Sequence, residues 1–390
     1  MLAGHKGTGK TTELYLLKQA LEIGDEKFFV VMVKSEDEVD RNDVDFPDVL
    51  IAVIRQIAEQ LRETGIELKE SYLKSRFEWL KNQLGKKIDL EGGELSAGFG
   101  KLKMALKGSP DARRMIREHL DPDVGNWMAA ANDLISEAEQ ALIQKGYAGL
   151  AVLIDDLDKM VIRPMEGGHS TASHLFVNRA AQLTGFACHT VYTIPLSLAY
   201  SHHEATIRAN FGGDIPVVPM VKIVKPPPTG GDHRPGLSRM KKMVEARLEL
   251  ASAKVDEVFK RGVLNDLIRL SGGQPDVLMA LVRDGMARSA LPLPGSVVER
   301  VRKERQREYA RFLRREHCPV IEYVRQYGKL PRSDENEKVI RELLDSRATL
   351  QYVNDEEWYG LNPLVAALSP PPGVDIGDAF ADGTASADEA

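Results

Sequence analysis

Residues 4–11 read GHKGTGKT, the spacing G-x-x-x-x-G-K-T with every required position filled. The spacing has a physical reason. Gly4, Gly7 and Gly9 carry no Cβ, so the backbone can curl tightly and turn its N–H groups inward around an anion. The residues behind the loop, TELYLLKQALEIG, read as a helix ending at Gly24, and its N-terminus faces the same anion. In a loop of this kind Lys10 reaches the β- and γ-phosphates of a nucleotide, and the Thr11 hydroxyl sits on Mg²⁺. Gly4, His5, Lys6, Gly7, Thr8, Gly9, Lys10, Thr11 and Thr12 are therefore the candidate nucleotide contacts. A glycine-rich helix cap with a chance lysine is the plain alternative, and the fitting helix weighs against it.

Such a loop normally follows a buried strand of about five residues. Only Met1, Leu2 and Ala3 precede Gly4. The first strand is expected to be very short, truncated or absent, with a native start further upstream or with compensation from its neighbours.

Residues 149–156 read GLAVLIDD. Leu150 to Ile154 form an apolar run of the length of a fully covered parallel strand. Two carboxylates follow at its C-terminal end, where open α/β sheets bind ligands. Hydrolysis separates two roles: Asp155 suits Mg²⁺, and Asp156 suits the attacking water. Asp158 is a further acidic candidate, and a solvated acidic turn is the alternative. The long separation of Lys10 from Asp155 implies an insertion, placed at about 85–125.

The surrounding pattern fills in a sheet. FFVVMVK at 28–34 reads as a second strand, and 47–64, 71–84 and 124–145 carry helical apolar spacing. The stretch 85–110 is rich in Gly and Lys, with Leu95, Ala97 and Phe99 alternating, and reads as a protruding hairpin or mobile loop. Residues 171–183 read as a helix. His189–Ile194 reads as a strand with Thr193 near its end, where a polar group can sense the γ-phosphate, and 217–223 is a fifth strand candidate. Arg179 and Arg208 are candidate arginine fingers, each more simply read as a surface arginine. His169, His174, His202 and His203 lack metal-ligand spacing and read as solvated or helix-end residues.

KPPPTGGDHRPG at 225–236 reads as a linker. Helical spacing then runs from Leu237 to about Phe259 and again from 263 to 270. SGGQPDVLMALVRDG at 271–285 lets Gly272 and Gly273 cap one helix and Pro275 start the next. These helices read as a lid. Residues 296–328 are helical and basic, either a solvated face with ion pairs or a surface for nucleic acid or a partner. After a helix at 335–347, TLQYVN at 349–354 and WYGLNPLV at 358–365 read as a hairpin in which Tyr352 and Tyr359 pack across the strands. Helices followed by such a hairpin suggest a winged helix. Its tip, Asp355–Glu357, is acidic and favours protein over phosphate. The Pro-, Gly- and acid-rich stretch 369–390 reads as a disordered tail.

Composition sets bounds on these readings. With 390 residues the chain holds about two to three domains. A formal net charge of -6 gives no general attraction to nucleic acid or anionic membrane, although a local basic patch stays open. Cys188 and Cys318 form no metal or disulfide framework, which suits a reducing, cytoplasmic setting. No apolar run approaches the roughly 20 residues of a membrane span.

In order, GHKGTGKT, LAVLIDDLDK, CHTVYTIPLSL and LSGGQPDVLMAL resemble the motifs of STAND-type and origin-recognition-like AAA+ ATPases over about residues 4–365. The resemblance implies an α/β fold: a P-loop NTPase parallel-sheet core (1–228), a helical lid (229–295) and a C-terminal winged-helix-like domain (296–368). It carries Lys10, Thr11, Asp155 and Asp156 over directly, adds Thr193 as a catalytic sensor, and adds Pro275 as a lid residue contacting nucleotide. The paired aspartates look more like the STAND version than the Asp–Glu pair common in AAA+ proteins. The cofactors implied are ATP and Mg²⁺. The function implied is a slow ATP-hydrolysing switch coupled to a homo-oligomer or to a separately encoded effector, in an arrangement like that of bacterial antiphage systems. Departures are the short first strand and the lack of an attached effector, sensor repeat or membrane segment. A DNA-associated initiator or helicase loader, and a nucleotide-binding scaffold without hydrolysis, stay open beside it.

Overall fold

The computed structural model describes residues 1–68, 71–84, 95–165, 169–331, 333–353 and 356–368. The expected segment at 85–94, the hairpin-tip residue Asp355 and the tail 369–390 lie outside the described residues. Two compact units emerge. One holds Met1–Ala3 and Lys10–Val217, and the other holds Gly4–Gly9 with the chain from Val218 on.

The first unit is built on a sheet of five strands: β1 (Leu2–Gly4), β2 (Phe28–Lys34), β3 (Gly149–Asp155), β4 (His189–Pro195) and β5 (Val217–Val218). Their order is β2-β3-β4-β1-β5. β2 and β3 pair in parallel from Phe28↔Gly149 to Lys34↔Asp155, and β3 pairs in parallel with β4 from Ala151↔His189 to Ile154↔Tyr192. Every residue of β3 is buried, as the unbroken apolar run requires in a strand covered on both faces. β1 is present but only three residues long, and the Ala3 N–H donates to Pro216 O at 2.9 Å. β5 is two residues rather than the expected 217–223. Pro219 has no N–H to continue a ladder. The next donors turn elsewhere: Met220 N–H goes to Gln351 O and Val221 N–H to Gly273 O.

Between β2 and β3 lies a helical insertion. Phe46–Glu63 starts with a capping box from Asp45 and Asp48 and buries an apolar face. Ser71–Leu84, Leu95–Gly108 and Pro110–Leu120 follow, then Val124–Gln144. The stretch 95–108 is therefore a helix and not a hairpin or loop. Its glycines explain the misreading. A Cβ at Gly98 would lie 2.3 Å from the Phe77 ring, so the residue is small to let two helices approach. The rings of Phe77 and Phe99 then meet at 5.3 Å. The expected helix at 171–183 is present, with a π-helical turn at His174–Asn178 inside it.

Charge holds the insertion to the segment after β2. The Arg113 guanidinium is 2% exposed and bonds Asp40 at 2.7 Å, Asp43 at 2.8 Å and Leu106 O at 2.7 Å. Arg117 pairs with Asp43 and Asp48, and Arg55 and Lys103 converge on buried Glu38. Arg179 is bound to Asp45 at 3.1 Å and Asp121 at 2.8 Å, so it serves this network. Arg208 pairs with Glu204 and Asp214 on the surface. Burial works to raise the Asp45 carboxyl, yet His174, Arg179 and the Phe46 amide hold it well below the ordinary carboxylate range. Asp40 and Asp43, which burial alone would raise, are also held down, by Asn42 and Arg113 and by Arg117 and Arg113.

The second unit is mostly helical. Arg234–Leu250, Val263–Leu270, Pro275–Met286 and Gly295–Phe312 pack around Leu267, Ile268, Leu278, Leu281 and Leu293. The first of these begins at Arg234 and stops at Leu250, short of the expected Phe259. The basic stretch 296–328 is also two helices, Gly295–Phe312 and Cys318–Tyr327. The chain is extended at Leu313 and Arg314, and the His317 ring caps the break by accepting Arg314 N–H at 2.9 Å. Glu337–Asp345 leads into β6 (Thr349–Val353) and β7 (Glu357–Leu361), an antiparallel hairpin. Together these helices and the hairpin resemble a winged-helix element. Tyr352 is opposite Trp358 and stacks on it at 4.4 Å, whereas Tyr359 is opposite Gln351. The expected Tyr352–Tyr359 pair is thus one residue out of register, which in a strand puts the two rings on opposite faces. Among the described residues no helix is long and apolar enough to cross a membrane.

Carboxyls held below their unfolded values stabilise the fold fully above the ordinary pKa of about 4, and that stability is lost as pH falls through the lower folded values. Arg113→Met is expected to lower the unfolding free energy by about 2–3 kcal/mol at pH 7, less than a fully buried pair because Asp43 is half exposed. Urea denaturation at pH 7 and pH 3 checks this: the gap between wild type and variant should shrink at pH 3.

Candidate functional site

The loop Gly4–Gly9 leaves β1 with Gly7 at φ +81° and Gly9 at φ +102°, a region that favours glycine. Thr8 closes the turn, its hydroxyl donating to His5 O at 3.0 Å. The loop residues belong to the same compact unit as the C-terminal hairpin. His5 is 2% exposed. The Gln351 N–H donates to its Nε2 at 3.0 Å, so Nδ1 carries the proton and donates to Leu344 O at 3.2 Å. The His5 side chain is therefore committed to Leu344, in the helix before the hairpin, and to Gln351 on β6. Lys6 is exposed, and its carbonyl accepts from Arg347 at 3.4 Å. Arg347 in turn holds Asp276 at 2.7 Å, and a Cβ at Gly7 would lie 2.1 Å from that carboxylate. Asp276 stands in the first turn of the helix that Pro275 opens, so Pro275 reaches the loop's neighbourhood through Asp276.

The loop runs directly into Lys10, the first residue of the Lys10–Glu22 helix. In the sheet unit, Lys10 is 5% exposed and its Nζ lies 3.0 Å from Asp158 Oδ2. Thr11 is half-buried beside it, and Thr12 faces out. Asp155 ends β3, and its Oδ1 accepts the Asp156 N–H at 2.8 Å. Its Oδ2 is buried with no hydrogen-bond partner. Asp156 takes the left-handed conformation, φ +68°, which Asp tolerates better than most residues. That turn leads the chain back, and one carboxylate oxygen from each of Asp155, Asp156 and Asp158 lies within 4.8 Å of the others. Burial raises the Asp156 carboxyl, Asp155 adds to the rise, and Lys159 at 2.6 Å opposes it.

Thr193 is fully buried on β4, next to β3. Its Oγ1 accepts the Leu157 N–H at 3.1 Å. The hydroxyl thus pins the turn that carries the acids. Three buried carboxylates with an orphaned oxygen fit a hard divalent cation, which takes oxygen donors. Of the residues expected from the sequence, Asp155 and Asp156 lie at the end of β3, Lys10 pairs with Asp158 beside them, and Thr193 bonds the Leu157 amide of the same turn. Sequence reading ranked Asp158 low, although Asp158 meets Lys10, and it missed Lys159, Asp276 and Arg347. The i,i+3 spacing of Asp156 and Lys159 was a readable signal. The partners of His5 and Lys6, far along the chain, left none.

No protein-family model matches the sequence, and no curated protein matches it. Among solved structures, the chain is similar to the Aeropyrum pernix ORC2 protein, in a structure of its ADPNP–ADP complexes. The likeness has a TM-score of 0.40 and 13% sequence identity, covering 94% of this chain and 85% of that one. It is a distant likeness.

The glycines at 272–273 are equally constrained. Gly273 sits at φ +78°, and a Cβ there would lie 1.9 Å from Val221 O. Gly273→Ala should therefore cost more than about 2 kcal/mol, from strain and clash together. Thermal unfolding of the variant, followed by circular dichroism, is the check.

Proposed function

We propose that the chain is a Mg²⁺-dependent ATP-binding switch that hydrolyses ATP slowly, of the AAA+ kind. The observation that carries this reading is the buried Lys10–Asp158 pair beside the orphaned Asp155 oxygen. A loop lysine and an acidic strand end meet where a phosphate and a metal would both be neutralised. The backbone amides of Gly4–Gly9 and the Lys10 ammonium hold the β- and γ-phosphates. Thr11 and Asp155 are the groups that hold Mg²⁺. When bound, the ion neutralises charge on the phosphate oxygens. Asp156 orients the water for in-line attack, and Thr193 keeps Asp156 and Asp158 in place through Leu157. Lys10 must leave Asp158 to meet phosphate, which suits slow turnover.

The switch character follows from where the loop packs. His5 and Lys6 bond residues Leu344–Gln351 before and within the hairpin, so a phosphate drawn into the loop acts on the C-terminal unit directly. Its output is assembly with further copies of the chain or with a separate effector, as in antiphage systems. One observation favours a scaffold without hydrolysis: Lys159 already occupies Asp156 at 2.6 Å.

The test is γ-phosphate release from ATP with Mg²⁺, beside Lys10→Ala and Asp156→Asn. Lys10→Ala should abolish release, and Asp156→Asn should slow it by about 100-fold or more while nucleotide still binds. Equal release by all three proteins would sink the assignment. Binding without release in the wild type would favour the scaffold.

A further inference from the structure

The second unit holds an open cavity of about 400 Å³, and every residue that lines it belongs to that unit. The Pro275–Met286 and Gly295–Phe312 helices form two walls, and residues just before β6 and just after β7 form the rest. Leu281, Phe312 and Leu364 make the apolar surface. Phe312 is held from behind, its ring stacked on His317 at 5.1 Å. The polar floor is closed on itself. The Tyr309 hydroxyl accepts from Asn362 Nδ2 at 2.9 Å and donates to the Ser346 or Arg347 carbonyl, and Asn362 Oδ1 accepts the Leu364 N–H at 3.0 Å. These groups are spent on one another, so recognition falls to the charges. Burial raises the Tyr309 phenol, and Arg347, Glu308, Arg305 and Asp276 all act on it, so the four charges surround one space. They form two pairs. Arg347 holds Asp276 at 2.7 Å, and Arg305 meets Glu308 at 3.3 Å. The second pair is the looser one, with the Glu308 side chain 63% exposed. A pair so exposed is weakly held, and its members exchange partners at little cost. Asp284, outside the cavity, keeps Arg305 in place at 2.8 Å.

We propose that this cavity binds a small zwitterion with an apolar body, an α-amino acid with a large apolar side chain, through Arg305 and Glu308. This goes beyond the nucleotide switch and does not rest on it. The lining carries two arginines and two carboxylates, so its charges balance and its field favours neither a lone anion nor a lone cation. A lone anion on Arg305 would displace Glu308 and leave that carboxylate facing it. A lone cation on Glu308 would leave Arg305 facing it in the same way. An α-amino acid carries both charges on neighbouring atoms. Its carboxylate takes the Arg305 guanidinium while its ammonium takes Glu308, and no charge is left over. The side chain then covers Leu281, Phe312 and Leu364 and removes their surface from water. The size fits as well, because ligand cavities run from about 300 Å³ upward and are mostly apolar with a few placed polar groups.

The test is isothermal titration calorimetry of the full chain, without nucleotide. The probes are L-phenylalanine and L-leucine, then phenylpropionate, which lacks the ammonium, and phenethylamine, which lacks the carboxylate. The amino acids should bind, and each truncated probe should bind about 10-fold or more weakly than L-phenylalanine. Glu308→Gln should weaken L-phenylalanine by about the same factor and leave phenylpropionate no weaker. Arg305→Met should remove the advantage of L-phenylalanine over phenethylamine. Arg302→Ala, on the same helix but outside the cavity, should change none of these affinities. Glu308 is exposed, so its variant should keep the wild-type thermal midpoint, which separates lost binding from lost folding. Absence of binding by both amino acids at about 10 mM, equal binding of L-phenylalanine and its two truncated analogues, or an L-phenylalanine affinity indifferent to Glu308→Gln would overturn the proposal.

Discussion

Three carboxylates are buried at the end of β3, and one cation, Lys10, is buried with them. Carboxylates this close repel one another, and opposite charge beside them offsets the repulsion. Lys10 and Lys159 supply it. The arrangement of this sheet edge follows from that need: the left-handed turn at Asp156, the Thr193 hydroxyl that fixes Leu157, and the entry of the loop lysine into the interior. The same need makes the edge receptive. Asp155 Oδ2 is buried there without a hydrogen-bond partner.

The loop shows a second constraint. Its glycines permit the curl, but His5 and the Lys6 carbonyl anchor it to residues more than three hundred positions later in the chain. A neutral imidazole with both nitrogens engaged is a stiff tether, because neither bond can be lost without leaving a buried polar atom unsatisfied. Asp276 then fills the space that a side chain at Gly7 would need. The Gly4–Gly9 loop is thus shaped by its contacts with Leu344, Arg347, Gln351 and Asp276 as well as by its own sequence.

Much of this was legible in the sequence where one physical cause dominated. The all-apolar run of β3 can only be a covered strand, and the glycine spacing of the loop has few uses other than holding phosphate. Legibility failed where a residue type served two causes. Glycine at 98 suggested a loop but permits helix contact with Phe77. The apolar run at 217–223 suggested a strand, yet Pro219 and the hairpin redirect its donors. Thr193 was read for its reach toward phosphate, and the structure shows what its hydroxyl bonds now, the Leu157 amide. His5 reads in the sequence as one of the loop's candidate nucleotide contacts, because its tether to Leu344 and Gln351 exists only in three dimensions.

The most direct test of the account is the linkage between metal and nucleotide. Equilibrium binding of ATP should be measured across a Mg²⁺ titration, for the wild type and for Asp155→Asn. If the buried acids wait for a cation, Mg²⁺ tightens ATP binding to the wild type, and Asp155→Asn removes most of that dependence. ATP binding that ignores Mg²⁺ in the wild type, or no ATP binding at any Mg²⁺ concentration, would contradict it.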